Sequence, residues 1–116
     1  MKKLTRILTT LVILAIALST AAIAEGRTIG AVVLDGTNPH CTLFEEGFRS
    51  IVEEKYGDKA VVLDATGDPE TLINCLSDLM SQQVDGIVLE ACDAEAPIAI
   101  LKEIKNMMGI PVAAAD

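Results

Sequence analysis

Between residues 28 and 115 the chain alternates four short apolar runs with three segments of helical period, and that order leaves few folds open. Residues 28–34 (TIGAVVL) are apolar almost throughout, as in a parallel strand buried on both faces, and lead into the turn-forming Asp35-Gly36-Thr37-Asn38-Pro39. From about His40 to Tyr56, Phe44, Phe48, Ile51 and Val52 recur at helical spacing. Glu45, Glu46, Arg49, Glu53 and Lys55 fall mostly on the far side, so a helix is predicted with both phenylalanines on its core stripe. Residues 60–65 (AVVLDA) predict a second strand. Asp68-Pro69-Glu70 then reads as a helix start: an Asp cap, proline at the first helical position, and an acid facing the helix dipole. Leu72, Cys75, Leu76, Leu79 and Met80 form the apolar stripe of that helix as far as Gln83. Residues 86–89 predict a third strand, with Glu90-Ala91-Cys92-Asp93 as its outgoing loop. Ile98, Leu101, Ile104 and Met108 mark a third helix closed by Gly109. Residues 110–115 predict a fourth strand, with Pro111 near its beginning, where a missing N–H does least harm.

Strands alternating with helices at these lengths imply right-handed crossovers and an α/β fold. The expected architecture is an open parallel sheet of about four strands, order 2-1-3-4, with helices on both faces. In that order the loops after strands one, three and four share one edge. Gly47, inside the first helix, costs about 1 kcal/mol against alanine, which predicts close packing of that helix on the sheet.

The amino-terminal 24 residues have another character. Lys2, Lys3 and Arg6 precede an apolar run over residues 7–18, and Ala22-Ile23-Ala24 completes a signal peptide with cleavage expected after Ala24. The run is shorter than the roughly 20 residues of a spanning helix, and no cysteine follows the cleavage site to carry a lipid. Residues 25–116 are therefore expected in the periplasm or outside the cell, without stable membrane insertion after cleavage. The chain carries 17 Asp and Glu against 9 Lys and Arg, a net charge of −8, and three of those bases lie in the signal. So acidic a surface excludes nucleic acid as a partner. No G-x-G-x-x-G follows the first strand, so no dinucleotide or other cofactor is expected. Three cysteines in an exported chain leave at least one thiol unpaired within it. Cys75 lies on the apolar stripe of its helix as a small core residue, whereas Cys41 and Cys92 follow neighbouring strands and leave a disulfide open.

The polar groups of interest fall in the loops after strands one, three and four. Asp35, Asn38, His40 and Cys41 follow the first, Glu90, Cys92 and Asp93 the third, and Asp116 the fourth. Ligand-binding groups in open α/β sheets collect at this carboxyl edge. Each residue also has a plainer reading: Asn38 as a helix cap, His40 as a surface residue, Glu90 as a solvated acid.

With these residues in view, the chain resembles the amino-terminal lobe of the periplasmic sugar-binding proteins that serve ABC importers, the ribose- and galactose-binding type. The resemblance is carried by residues 28–34 running into Thr37-Asn38-Pro39, and by Phe44, Gly47 and Phe48. It continues through Val61-Val62-Leu63-Asp64-Ala65 and Val84-Asp85-Gly86-Ile87-Val88-Leu89, and closes with Gly109-Ile110-Pro111-Val112 leading to Asp116. It implies a Rossmann-like half of a periplasmic binding protein over residues 25–116. It also implies sugar or polyol capture without catalysis, and importer membrane subunits as partners. Asn38 and Asp116 are then expected to hydrogen-bond ligand hydroxyls, with Glu90, His40 and Cys41 beside them. The family often follows its Asn-Pro with aromatics that stack on a sugar ring; here those positions hold His40 and Cys41. Because the chain stops at Asp116, on its own expected binding edge, it reads as the first part of a larger protein. Two alternatives compete: a metal or redox site using His40, Cys41 and Cys92, with Glu90 and Asp116 as oxygen donors, and an inactive truncated product.

Overall fold

Apart from residue 3, the computed structural model describes residues 26–115, so the expected signal peptide and Asp116 lie outside the described residues. Strands β1 (Thr28–Val33), β2 (Lys59–Asp64), β3 (Gly86–Leu89) and β4 (Val112–Ala114) form one sheet in the order β2-β1-β3-β4. All three pairings are parallel, as the alternation predicts; Ala31 stands between Val62 and Val88. Helices α1 (Pro39–Arg49), α2 (Pro69–Ser81) and α3 (Ile98–Met108) make the crossovers. Among the described residues, no helix is long and apolar enough to cross a membrane.

Local chemistry sets the helix starts. Asn38 caps α1, its side chain accepting from the His40 N–H at 2.9 Å, and Pro39 opens the helix. Asp68 caps α2 by accepting from both the N–H and the hydroxyl of Thr71, at 2.8 and 2.7 Å. Asp93 instead orders the loop before α3, accepting from Glu95 and Ala96 N–H groups. Gly109 ends α3 in the left-handed conformation, φ 62°.

Alternation along β1 sorts the core into two layers. Gly30 and Val32 face α2: a carbon added at Gly30 would lie 2.8 Å from Leu79, and Val32 is fully buried with Leu72, Leu76, Leu79, Val84, Ile87 and Ile104. Each such leucine contributes about 1.5–3 kcal/mol by leaving water. Cys75 is buried in this layer, and burial pushes its thiol up. Ala31 and Val33 point the other way and are buried together with Cys41 of α1 and Val52 beyond it.

The first helix departs from the expected pattern. α1 ends at Arg49 and the chain continues as a wider π-type segment over Ser50–Lys55. There Tyr56 N–H donates to the Ile51 carbonyl and Asp58 N–H to that of Val52. A wider turn shifts the phase of a 3.6-residue repeat, so Val52 is buried while Ile51 is 54% exposed. Phe44 and Phe48 are half-buried and stack on each other, ring centres 6.1 Å apart, instead of entering the core. Gly47 is exposed, with nothing within 4 Å of where a Cβ would sit, so close packing on the sheet is not its reason.

Candidate functional site

The carboxyl ends of β1 and β3 are joined by one buried acid. Glu90 follows β3 directly and is 6% exposed. Its Oε2 accepts from the Leu34 N–H at 3.2 Å, and its Oε1 lies 3.7 Å from Nε2 of His40. A buried carboxylate is costly unless partnered, and these partners come from the β1 end and the first turn of α1. Glu90 is therefore neither solvated nor free to swing. Its N–H donates to the Val32 carbonyl, continuing the ladder one residue past the strand.

The loop after β1 is shaped by Asp35. Its Oδ1 accepts from the N–H and the hydroxyl of Thr37, at 2.9 and 2.7 Å, while its carbonyl accepts from the Asn38 N–H. The Thr37 bonds hold the Asp35 carboxyl below the usual carboxylate range. This turn carries the chain from β1 into the Asn38 cap, where the exposed amide has its oxygen committed to the helix. Sequence reasoning placed Asp35 at this edge but gave it no ligand contact, and Asp-Gly-Thr is a signature of a side-chain-closed turn.

Cys41 sits one residue after His40 and is 1% exposed. Desolvation pushes its thiol up, with the Glu90 carboxylate adding to the effect. The structure thus brings His40, Cys41 and Glu90 together, with Asn38 beside them through its bond to the His40 N–H. Asp116 lies outside the described residues; the Ala115 N–H donates to the Leu89 carbonyl, which carries the chain along β3 up to it.

The disulfide left open by the sequence is not formed: Cys41, Cys75 and Cys92 are all free. Cys92 packs against the α2–α3 core, whereas Cys41 belongs to α1 on the other layer. The metal alternative is corrected on similar grounds. Among the described residues, no three His, Cys, Asp or Glu side chains are grouped to hold an ion, and His40, Cys41 and Cys92 fail because Cys92 turns away into that core.

The rim around Glu90 is open. A concavity of about 800 Å³ lies elsewhere, along β4 and α3, lined mainly by apolar groups of Leu89, Leu101, Ile110, Pro111 and Val112. It offers few polar groups to a hydroxylated ligand, so this hollow and the chemistry of the rim do not coincide.

Solved structures place this geometry among known proteins. An ABC transporter solute-binding protein of Clostridium phytofermentans, with bound L-rhamnose, superposes with TM-score 0.73 and 32% identity, over 80% of this chain and 29% of that one. A solute-binding protein of Mycobacterium smegmatis, with bound glycerol, has the same fold at TM-score 0.72 and 21% identity, over 79% of this chain and 31% of that one. A sugar transporter of Clostridium phytofermentans matches at TM-score 0.66 and 23% identity, over 79% and 34% of the two chains. The chain thus spans about a third of the length of these proteins. No curated protein matches it. The profile of the periplasmic binding protein domain matches residues 29–116, and with the β2-β1-β3-β4 sheet this shows that the chain belongs to that family.

Proposed function

We propose that the chain supplies one wall of a site for a neutral sugar or polyol in ABC-type import, with no catalytic step. The observation that carries this reading is the 32% identical solute-binding protein with bound L-rhamnose, which shares the fold over 80% of the chain. The rim of Asn38 and His40, backed by the buried Glu90, suits such a ligand, because each hydroxyl taken from water needs both a donor and an acceptor. The reading also takes in Asp116, outside the described residues, because a carboxylate accepts from two adjacent hydroxyls. On this reading the segment ending at Ala24 exports the chain, and importer membrane subunits receive the ligand.

The test is a titration of the full chain with L-rhamnose, followed by amide NMR. Perturbations are expected at Asn38, His40, Ala91 and Asp116. Asn38→Asp keeps the cap oxygen but removes the two amide donors, so it is expected to fold and to lose those perturbations. Shifts confined to the opposite edge of the sheet, around Arg27, Asp58 and Asp85, or no shifts at tens of millimolar sugar, overturn the reading.

A further inference from the structure

His40 is the only histidine of the chain, and it stands on an open surface beside a buried acid. Its side chain is 67% exposed, yet Nε2 lies 3.7 Å from Oε1 of a glutamate whose side chain is 7% exposed. That distance is ion-pair range and too long for a hydrogen bond. The carboxylate still acts on the ring, because it favours the proton on the nitrogen facing it. Nor can Glu90 turn aside, since Oε2 is tied to the Leu34 N–H at 3.2 Å. With the proton on Nε2, Nδ1 is left as a bare acceptor at the rim.

Asn38 complements it. The amide oxygen is committed to the His40 N–H at 2.9 Å, so what remains for a ligand is the NH₂ group, a donor only. That bond runs to the backbone N–H of His40 and sets the two side chains beside each other at the start of the first helix, so the rim presents a donor next to an acceptor. A hydroxyl satisfies both. A carboxylate or phosphate accepts only, so it meets the Nδ1 lone pair, and it is repelled by Glu90 and Asp35 as well.

We infer that His40 is the specificity-determining residue of the rim and Glu90 its positioning residue, together selecting neutral hydroxylated sugars over anionic ones. The inference rests on the sugar-binding reading above and deepens it. Glu90 then acts through the imidazole and does not itself contact the ligand.

Two measurements on the full chain test it. The first needs no ligand: with one histidine, nitrogen-correlated NMR of the imidazole gives a single ring whose tautomer is read directly. In mildly alkaline buffer the wild-type ring is expected almost wholly as the Nε2–H form. Glu90→Gln removes the charge while keeping an oxygen for the Leu34 N–H, and the ring is expected to relax to the mixture of an unconstrained imidazole. Identical ring spectra for the two proteins overturn the positioning role.

The second measurement compares galactose with galacturonate, which differ only in a carboxylate replacing the terminal hydroxymethyl group. Wild type is expected to favour galactose by roughly tenfold or more, and the ratio to shrink in Glu90→Gln and in His40→Ala. His40 is exposed, so its alanine variant folds whatever becomes of the Glu90 variant. If wild type binds both sugars and neither substitution moves the ratio, the inference fails while the sugar-binding reading stands. If wild type binds neither sugar, the sugar-binding reading fails and the specificity role goes with it.

Discussion

A methyl group added at Gly30 would sit 2.8 Å from both terminal carbons of Leu79, and Leu79 is fully buried in the core. At Gly47 the same methyl would meet nothing within 4 Å. The two substitutions should therefore have opposite signs. Gly30→Ala is expected to cost about 1–3 kcal/mol through overpacking. Gly47→Ala is expected to add about 1 kcal/mol, the helix propensity difference with no steric offset. Urea denaturation of both variants measures this, and destabilisation by Gly47→Ala would mean that the exposed face of α1 is covered in solution. In the sequence the two glycines look alike, each inside an apolar-periodic stretch. What separates them is a contact from a helix more than thirty residues away, which no local pattern encodes.

At the level of elements, the caps were legible and the packing phase was not. Asp68-Pro69 and Asn38-Pro39 signal their helices because the side-chain oxygen reaches an N–H only two or three residues on. A consequence follows for acid stability. Thr71 bonds, from the hydroxyl first and the N–H second, hold the Asp68 carboxyl below the usual range. The folded state thus takes up this proton less readily than the unfolded chain. The stabilisation is present above the unfolded pKa and is lost as pH falls through the lowered folded value. Asp68→Asn keeps an oxygen for the Thr71 N–H but cannot titrate, so its stability should fall less steeply than wild type below about pH 4. Asp35 and Asp93 are lowered in the same direction, so part of the acid limb remains. Curves that stay parallel to the lowest pH would exclude a role for Asp68. By contrast, the π-type segment over Ser50–Lys55 has no sequence signal, and it turned Ile51 outward where a regular helix would have buried it.

For the whole molecule, the decisive fact is that the candidate rim stands on one side of an open sheet, with no second wall among the described residues. A two-walled site binding near 1 μM has about −8 kcal/mol available, and half of that corresponds to roughly millimolar affinity. The chain is therefore expected to bind L-rhamnose no tighter than about millimolar. Titration calorimetry checks this. Micromolar affinity would require a second wall, from a further copy or from residues outside those described.

The parallel sheet, its strand order and the three helices were determined by the sequence itself. Strand and helix periodicities are local, and right-handed crossovers of this length leave one economical order. The location of Asn38, His40, Cys41 and Glu90 near one edge followed from that order. Their chemistry did not. Only tertiary structure decided that Glu90 is buried, that its two oxygens are divided between Leu34 and His40, and that Cys92 faces away from Cys41. Those outcomes depend on how far apart two strand ends and one helix start come to rest. Distances between residues some fifty positions apart are fixed by packing, and no spacing along the chain carries them.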